Sequence, residues 1–225
     1  MLIEDGKYCR CDKEDIVNGA VVIPNGVTEI GENVFRDRED IYKVVLPEGI
    51  KVIGYFSFYR CKNLKEINLP DSIEIIGDVA FSSCEKLNNI KLPKNLKRLG
   101  DSSFDNTAIE RIEVPNVGVI LEGTFADCKN LKEVILDDGI EDIWFSAFVG
   151  CEKLKSIKLP KKLKKIDFQA FMECKSLTDI VIPNSVEEIG YEAFADCTNL
   201  TKVTIPAKTK IGKDCFKNCP LGKIN

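Results

Sequence analysis

Thiols are the reactive side chains that this sequence supplies in number, because its 225 residues include ten cysteines and no histidine. The absence of histidine removes the usual general base of nucleophile triads and the commonest metal-binding side chain. Two closely spaced pairs remain as candidates for chemistry, Cys9 with Cys11 and Cys215 with Cys219. Four thiolates suit zinc, and Cys9 with Cys11 could also form a disulfide or act in redox chemistry. The interpretation that we favour is that these cysteines pack in the caps of the structure.

A short acidic run is the other candidate for metal chemistry, and it comprises Asp137, Asp138, Glu141 and Asp142. Calcium prefers carboxylate ligands, but this spacing matches no calcium-binding loop, so we interpret the run as a solvated turn. The sequence also lacks a phosphate-binding glycine loop and a zinc-protease motif. It therefore predicts no catalytic residue, no metal and no cofactor, and we expect that the protein is not an enzyme.

Most of the cysteines recur at one position, three residues after a phenylalanine. They are Cys61, Cys84, Cys128, Cys151, Cys174, Cys197 and Cys219, and Thr107 takes the same place once. Free cysteine behaves as a small buried apolar residue, so this regularity predicts a packing column. A disulfide needs Cβ atoms that converge to about 3.8 Å, whereas side chains on stacked coils run parallel. We expect reduced thiols, which favours reducing or anaerobic surroundings.

A repeat of 22 or 23 residues positions these cysteines. A proline ends a short apolar run in each repeat, and Asp137 takes the place of one proline: Pro24, Pro47, Pro70, Pro93, Pro115, Pro160, Pro183 and Pro206. A fixed period in this range indicates coils that stack on their neighbours. The two cysteine pairs then lie on the order of 40 Å apart, at about 4.8 Å per coil, so the four thiols of one chain do not meet.

The repeat from Leu64 to Cys84 illustrates the local structure. Ile67 and Leu69 alternate with a polar residue, which is typical of a strand. Pro70 ends that strand because it has no N–H to donate. Ile73 and Ile76 then supply a second inward-facing segment.

The second half of the same repeat predicts a turn. Gly77 is expected to take a backbone conformation that other residues avoid. The spacing of Ala80, Phe81 and Cys84 predicts a single helical turn packed on the core.

The pattern L-x-x-I-x-L-P-x-x-[LIV]-x-x-I-G-x-x-A-F-x-x-C resembles the repeats of the BspA-like (Treponema-type) leucine-rich repeat family, from about Val21 to Cys219. The resemblance implies a right-handed curved solenoid of about nine coils, with short parallel β-strands on one face and turns and short helical segments on the other. Family members are often bacterial surface or secreted proteins implicated in adhesion and protein binding. The family has no shared catalytic residues.

This sequence departs from the pattern at a few positions. Two repeats are one residue short, at residues 107–109 and 116–118, and Trp144 and Asp167 replace the glycine. These departures predict local changes of turn geometry within the same fold.

We expect three segments: an N-terminal cap at residues 1–20, the solenoid at 21–219 and a short C-terminal end at 220–225. The cap resembles a hairpin, with a turn at residues 4–6. At the far end only Pro220 and Leu221 are available to cover the last coil. The expected state is therefore a monomer or a weak end-to-end assembly, or else a part of a longer array.

Charge and hydropathy restrict the partners. The net charge is −4 with both signs interspersed, so a nucleic-acid partner is not expected. No apolar run approaches the roughly 20 residues that span a bilayer, and residues 1–15 lack the apolar core of a signal peptide. The location stays open between the cytoplasm and the bacterial surface or secretion that the family implies.

Three columns are predicted to point outward from the strand face. They run Tyr42, Lys65, Asn88, Glu110, Lys132, Lys155, Thr178, Thr201; Lys43, Glu66, Asn89, Arg111, Glu133, Ser156, Asp179, Lys202; and Val45, Asn68, Lys91, Glu113, Ile135, Lys158, Val181, Thr204. Tyr42, Lys65, Arg111 and Lys155 are the candidates for partner contact. The columns are mixed in charge and poor in aromatic anchors, so a merely solvated face is an equal alternative.

The turn face carries a more distinctive pattern. Eight residues after the proline position stand Glu32, Tyr55, Asp78, Asp101, Gly123, Phe145, Phe168 and Tyr191, and Trp144 is next to Phe145. If exposed, the aromatic side chains form an apolar strip of the kind that marks interaction sites. The alternative is that they fold back over the core. Trp144 avoids left-handed backbone, so we expect a remodelled turn there.

Two functions of different classes follow. The first is a non-enzymatic binding module that recognises an unknown protein, with a glycan or a host matrix protein as variants. The second is a structural spacer or assembly unit without a specific side-chain site.

Overall fold

The computed structural model describes residues 1–222 and is a parallel β-solenoid of nine coils. This confirms the predicted solenoid. Of the segment predicted as a C-terminal end, residues 223–225 lie outside the described part. The chain starts with an antiparallel hairpin, β1 (Leu2–Glu4) and β2 (Lys7–Arg10), followed by a 3-10 helix at Lys13–Asp15.

Seventeen further strands follow in chain order: β3 (Ala20–Val22), β4 (Glu29–Ile30), β5 (Lys43–Val45), β6 (Val52–Ile53), β7 (Glu66–Ile67), β8 (Ile75–Ile76), β9 (Arg98–Leu99), β10 (Arg111–Val114), β11 (Val119–Ile120), β12 (Glu133–Leu136), β13 (Asp142–Ile143), β14 (Ser156–Lys158), β15 (Lys165–Ile166), β16 (Asp179–Val181), β17 (Glu188–Ile189), β18 (Lys202–Thr204) and β19 (Lys210–Ile211).

These strands form two parallel ladders, one on each side of the proline position. The first joins β3-β5-β7, β10-β12-β14 and β16-β18, and the second joins β2-β4-β6-β8-β9 and β11-β13-β15-β17-β19. Coil 1 contains β3 and β4, coil 4 contributes only β9, and coil 9 contains β18 and β19. Both ladders are interrupted at coils 4 and 5, where the two short repeats lie. The prediction had strands on one face only.

The segment after each second-ladder strand is a run of turns, and the prediction of a helical turn was wrong. In coil 3 the N–H of Phe81 donates to the carbonyl of Ser103 in the next coil at 2.8 Å, whereas the N–H of Ser82 donates within its own coil to Val79. Val79 and Ser83 have left-handed backbone, with φ of 59° and 58°. A helix would keep every N–H inside the segment, but here alternate N–H groups join neighbouring coils.

The recurring glycine is not left-handed, which corrects the prediction made for Gly77. A Cβ at Gly100 would lie 2.5 Å from the backbone nitrogen of Asp78 and 2.5 Å from the carbonyl carbon of Gly77, both in the preceding coil. Real Cβ atoms do not approach backbone so closely, so glycine permits close contact between coils. Two later residues of each turn segment take the left-handed conformation instead.

The core contains a continuous stack of aromatic rings, one per coil. Tyr8 of the hairpin stacks on Phe35, and the series continues to Phe216 with centroid separations of 4.8 to 6.0 Å. The longest separation, 6.0 Å, is between Phe104 and Phe125, where both ladders are interrupted.

The cysteine column has a hydrogen-bonding role beyond its packing. The thiol of Cys84 donates to the carbonyl of Phe58 in the preceding coil at 3.2 Å, and the other six do likewise at 2.8 to 3.3 Å. All ten cysteines are free thiols in the structure. Burial raises the pKa of Cys61 to about 12 and that of Cys128 to about 11, which keeps these donors protonated.

Candidate functional site

The outward positions of the turn segments form one continuous surface, which we call the turn edge. The residue after the glycine position forms a column along it: Glu32, Tyr55, Asp78, Asp101, Glu122, Phe145, Phe168, Tyr191 and Lys213. The N–H of Ser102 donates to the backbone carbonyl of Glu122 at 2.7 Å, and the N–H of Gly123 donates to that of Phe145 at 3.0 Å. Glu122 therefore occupies this column, and the assignment of Gly123 to it was wrong. The repeat at residues 116–118 is one residue short, so counting from the proline misses by one.

Three aromatic rings of this column stack on one another outside the core. Phe145 and Phe168 are 4.9 Å apart with an interplanar angle of 5°, and Phe168 and Tyr191 are 5.3 Å apart at 26°. Phe145 and Phe168 are half-buried, while Tyr191 is 41% exposed and the neighbouring Trp144 is 44% exposed. We call these four residues the aromatic strip.

Trp144 occupies the glycine position without remodelling the turn, contrary to expectation. Its N–H donates to the carbonyl of Ile120 at 2.9 Å, just as the N–H of Gly77 donates to Ile53 at 2.8 Å. Its φ is not in the left-handed region. The position does not require the left-handed conformation that tryptophan avoids, and the exposed indole points outward.

The stacking determines which parts of the rings remain accessible. Phe168 has a ring on each side, so its two faces are covered and its edge faces outward. The hydroxyl of Tyr191 donates to Glu192 at 2.8 Å, and this hydrogen bond raises the pKa of Tyr191. The strip therefore presents ring edges, an indole and one hydroxyl.

The strand-face candidates do not form one cluster. Tyr42 and Lys65 are neighbours, since the N–H of Lys65 donates to the carbonyl of Tyr42 at 2.9 Å. Arg111 lies in coil 5, where its guanidinium contacts Glu113 at 2.7 Å and Glu133 at 2.8 Å. Lys155 lies two coils further on, next to β14. The structure brings together only the first two of the four residues.

A shallow depression of about 540 Å³ lies on the strand face beside the interruption of the ladders. Coil 4 contributes Asn89 and Lys91 to it, and coils 5 and 6 contribute Arg111, Glu113 and Ile135. Because Arg111 is already paired with two carboxylates, the depression offers no uncompensated charge from that side chain.

A second cluster on the turn edge did not emerge from the sequence pattern. The Arg36 guanidinium lies 5.6 Å from the ring centroid of Phe56 and 5.3 Å from that of Tyr59, and the Arg60 guanidinium lies 5.7 Å from Tyr59. Tyr55 is adjacent and 45% exposed. The signal was present, because Arg36 and Tyr59 follow their prolines by the same twelve residues.

The residues first considered for metal chemistry are used otherwise. Cys11 is buried and Cys9 half-buried, and the Cys9 thiol donates to the carbonyl of Lys7. Asp138 pairs with Lys161, and Glu141 with Lys164. Among residues 1–222, no group of three or more His, Cys, Asp or Glu side chains is arranged to hold a metal ion. Nor does any helix in this range have the length and hydropathy to cross a membrane.

Comparison with solved structures identifies similar proteins. A leucine-rich repeat protein from Bacteroides ovatus matches with a TM-score of 0.79 and 32% identity, over 95% of this chain and 64% of that one. The leucine-rich repeat protein of T. pallidum gives 0.58 and 27% over 81% of this chain and 78% of that one. This chain thus spans less than two thirds of the Bacteroides protein.

A leucine-rich cell surface protein from Faecalibacterium prausnitzii shares the fold, with a TM-score of 0.55 and 23% identity over 92% of this chain and 72% of that chain. A comparison with curated proteins finds no match. The family described as BspA type leucine rich repeat region matches in six copies, over residues 8–132 and 118–225. Its proteins are often surface-associated in bacteria. The chain therefore belongs to the BspA-type leucine-rich repeat family, whose fold typically mediates protein–protein interaction.

Proposed function

We propose that this chain is a non-enzymatic module that binds a protein through the aromatic strip. The observation that carries the proposal is the outward stack of Phe145, Phe168 and Tyr191 beside an exposed Trp144. Aromatic side chains dominate the energetics of protein interfaces, and a contiguous apolar patch on a soluble surface tends to mark an interaction site.

The ring geometry favours a protein over a glycan as the partner. Sugar recognition by aromatic residues uses a free ring face, whereas the central ring, Phe168, has both faces covered and Phe145 and Tyr191 each have one face covered. The edges that remain suit apolar side chains, and the Tyr191 hydroxyl supplies a hydrogen-bonding group at the rim. A bacterial surface setting with a role in adhesion, for example to a host matrix protein, fits the family.

The strand face supports this assignment indirectly. Its outward columns carry ion pairs such as Lys43 with Glu66 at 2.8 Å and Lys132 with Glu110 at 2.8 Å. Exposed pairs of this kind contribute little energy because solvent screens them, and they satisfy each other's charge. Tyr42, Lys65, Arg111 and Lys155, which do not form one cluster, are therefore weaker candidates for partner contact than the aromatic strip.

Affinity capture with the purified protein tests the proposal, with native-cell lysate and host matrix proteins as separate sources. The first variant changes Trp144, Phe145, Phe168 and Tyr191 to serine. The second changes only Trp144 and Tyr191, which are the more exposed pair and leave the Phe145–Phe168 stack in place. A matched strand-face variant changes Tyr42, Lys65, Arg111 and Lys155 to serine.

Loss of the same partner in both strip variants, with retention in the strand-face variant, is the expected result. Circular dichroism and thermal melting check that the variants remain folded. Retention by the strip variants and loss by the strand-face variant would transfer the site to the strand face. Absence of any partner, together with a mass that rises with concentration in light scattering, would replace the proposal with the spacer or assembly role.

A further inference from the structure

The turn edge of coils 1 and 2 carries a cluster of two arginines and three aromatic residues that we call the arginine–aromatic patch: Arg36, Tyr55, Phe56, Tyr59 and Arg60. From its geometry we propose that this patch is a second docking surface, separate from the aromatic strip, for an acidic segment of a protein partner.

The patch is held together by contacts among its own side chains. Phe56 and Tyr59 meet edge to face with centroids 5.6 Å apart and an interplanar angle of 87°. Arg36 lies over both rings and Arg60 over Tyr59. A guanidinium stacked on a ring loses little further freedom on binding, so these contacts pre-organise both charges.

The positive charge of the patch is only partly compensated. Two guanidiniums share a single carboxylate, since Asp37 lies 3.4 Å from the Nε of Arg36 and 3.6 Å from a terminal nitrogen of Arg60. Arg36 also donates to Asn33 at 3.2 Å. Each guanidinium has five N–H donors, and most of them have no partner among the residues that the structure describes. The side chains remain 47% and 49% exposed.

Phe56 places an aromatic side chain at a position where the turn itself does not require one. It has left-handed backbone with φ of 54°, a conformation that bulky side chains rarely adopt. The same position is left-handed in all nine coils and holds residues as different as Asn33, Val79 and Ser102. The turn therefore sets the backbone conformation without requiring an aromatic side chain, and the ring of Phe56 packs on the other side chains of the patch.

The chemistry of the patch specifies the partner. Guanidinium groups bind carboxylates in bidentate fashion, and the rings beside them accept apolar side chains. Arginine and tyrosine are also enriched among interface residues that carry the binding energy. The partner segment therefore contains Asp or Glu residues with an apolar residue between them.

Binding of a short fluorescent peptide of alternating glutamate and leucine tests this inference by anisotropy. Its control peptide replaces each glutamate with glutamine. The wild-type protein is expected to bind the acidic peptide and not the control, and more weakly at about 150 mM than at about 25 mM salt because screening increases. The double variant Arg36→Gln with Arg60→Gln should weaken binding about ten-fold or more.

Two further variants distinguish docking on the patch from nonspecific attraction by positive charge and from an effect on folding. Phe56→Asn should reduce affinity about three-fold while the melting temperature stays the same or rises, because asparagine tolerates left-handed backbone. The charge-matched control Lys162→Gln with Lys208→Gln removes two exposed lysines of coils 7 and 9 and should leave binding unchanged. The serine variant of Trp144 and Tyr191 should also bind normally, so this test is independent of the proposed function.

Several outcomes would overturn the inference. Equal binding by wild type and the double arginine variant would show that the peptide binds elsewhere. No binding by the wild type at low salt would rule out an acidic peptide as the ligand. Arginine-dependent binding of a sulfated oligosaccharide, in the absence of peptide binding, would assign the patch to an anionic glycan. A large drop in melting temperature for Phe56→Asn would make Phe56 a structural residue.

Discussion

Along the same coils, the ring stack of the core repeats one residue type, whereas the turn edge above it changes from coil to coil. Inside, every coil from coil 1 to coil 9 supplies one phenylalanine, and the stack is continuous. Outside, coils 1 and 2 carry the arginine–aromatic patch, and coils 6 to 8 carry the aromatic strip. Coils 3 to 5, which lie between them, carry carboxylates on the turn edge: Asp78, Asp101, Asp105, Glu122 and Asp127. Coil stacking constrains only the inner positions, so the outer ones are free to differ and hold the candidate binding surfaces.

The largest expected effect on stability comes from removing a ring of the core, and removing a ring of the turn edge serves as the comparison. Phe171→Ala removes a fully buried ring and should lower the free energy of unfolding by about 3 to 5 kcal/mol. Tyr191→Ser removes a partly exposed ring and should lower it by about 1 kcal/mol. Denaturant unfolding of both variants measures the difference. Similar losses would mean that the strip is part of the core.

The glycine position offers a second comparison, between the two halves of the solenoid. Gly100→Ala places a Cβ against the backbone of coil 3 and should be destabilising by about 1 to 3 kcal/mol. Trp144→Gly introduces the family residue at an exposed site and should change stability by no more than about 1 kcal/mol. Equal tolerance at both positions, measured by thermal melting, would contradict the close-contact role of the glycine.

The thiol column predicts a loss of stability at alkaline pH. Burial raises the pKa of Cys61 to about 12, whereas a cysteine of the unfolded chain ionises near 8.5. Above about pH 8.5 the unfolded state therefore releases a proton that the folded state retains, and stability falls as pH rises towards the folded pKa. For Cys61 the loss at pH 10 is about 2 kcal/mol.

Urea unfolding at pH 7.5 and pH 10 in the wild type and in Cys61→Ala measures this contribution. The variant is less stable at neutral pH, since it loses the hydrogen bond to the Phe35 carbonyl, but its stability should fall less between the two pH values. An identical pH dependence in both proteins would mean that Cys61 ionises in the folded state as readily as in the unfolded chain.

The smallest predicted effect is a gain of stability at the position before the phenylalanine. Ser57 and Ser103 are buried there, and their hydroxyls have no hydrogen-bond partner within residues 1–222. Ala80, Ala147, Ala170 and Ala193 occupy this position in other coils. Ser57→Ala and Ser103→Ala should each stabilise the fold by about 1 kcal/mol, measured as a higher unfolding midpoint. Thr124→Ala is the control, because its hydroxyl donates to Leu121 at 2.8 Å and its loss should be destabilising.

The core positions and the turn-edge positions were not equally predictable from the sequence. The period, the buried phenylalanine and cysteine, and the outward columns follow from spacing, because side chains at equal positions of stacked coils share an environment. The register between Arg111, Glu133 and Ser156 agrees with the predicted column. Gly123 was assigned to the turn-edge column in place of Glu122 because this repeat is one residue short, and the sequence does not show at which point of the coil the residue is missing.

The sequence by itself determined that the chain is a stack of coils and which residues face inward. A periodic apolar pattern admits one way to bury its side chains, which is against the neighbouring coil. Only the tertiary structure decided that alternate N–H groups of the turns link coils, that glycine serves close contact, and that Arg36 meets Phe56 and Tyr59. These features depend on distances between residues of different coils, and such distances are a property of the packed stack rather than of any one repeat.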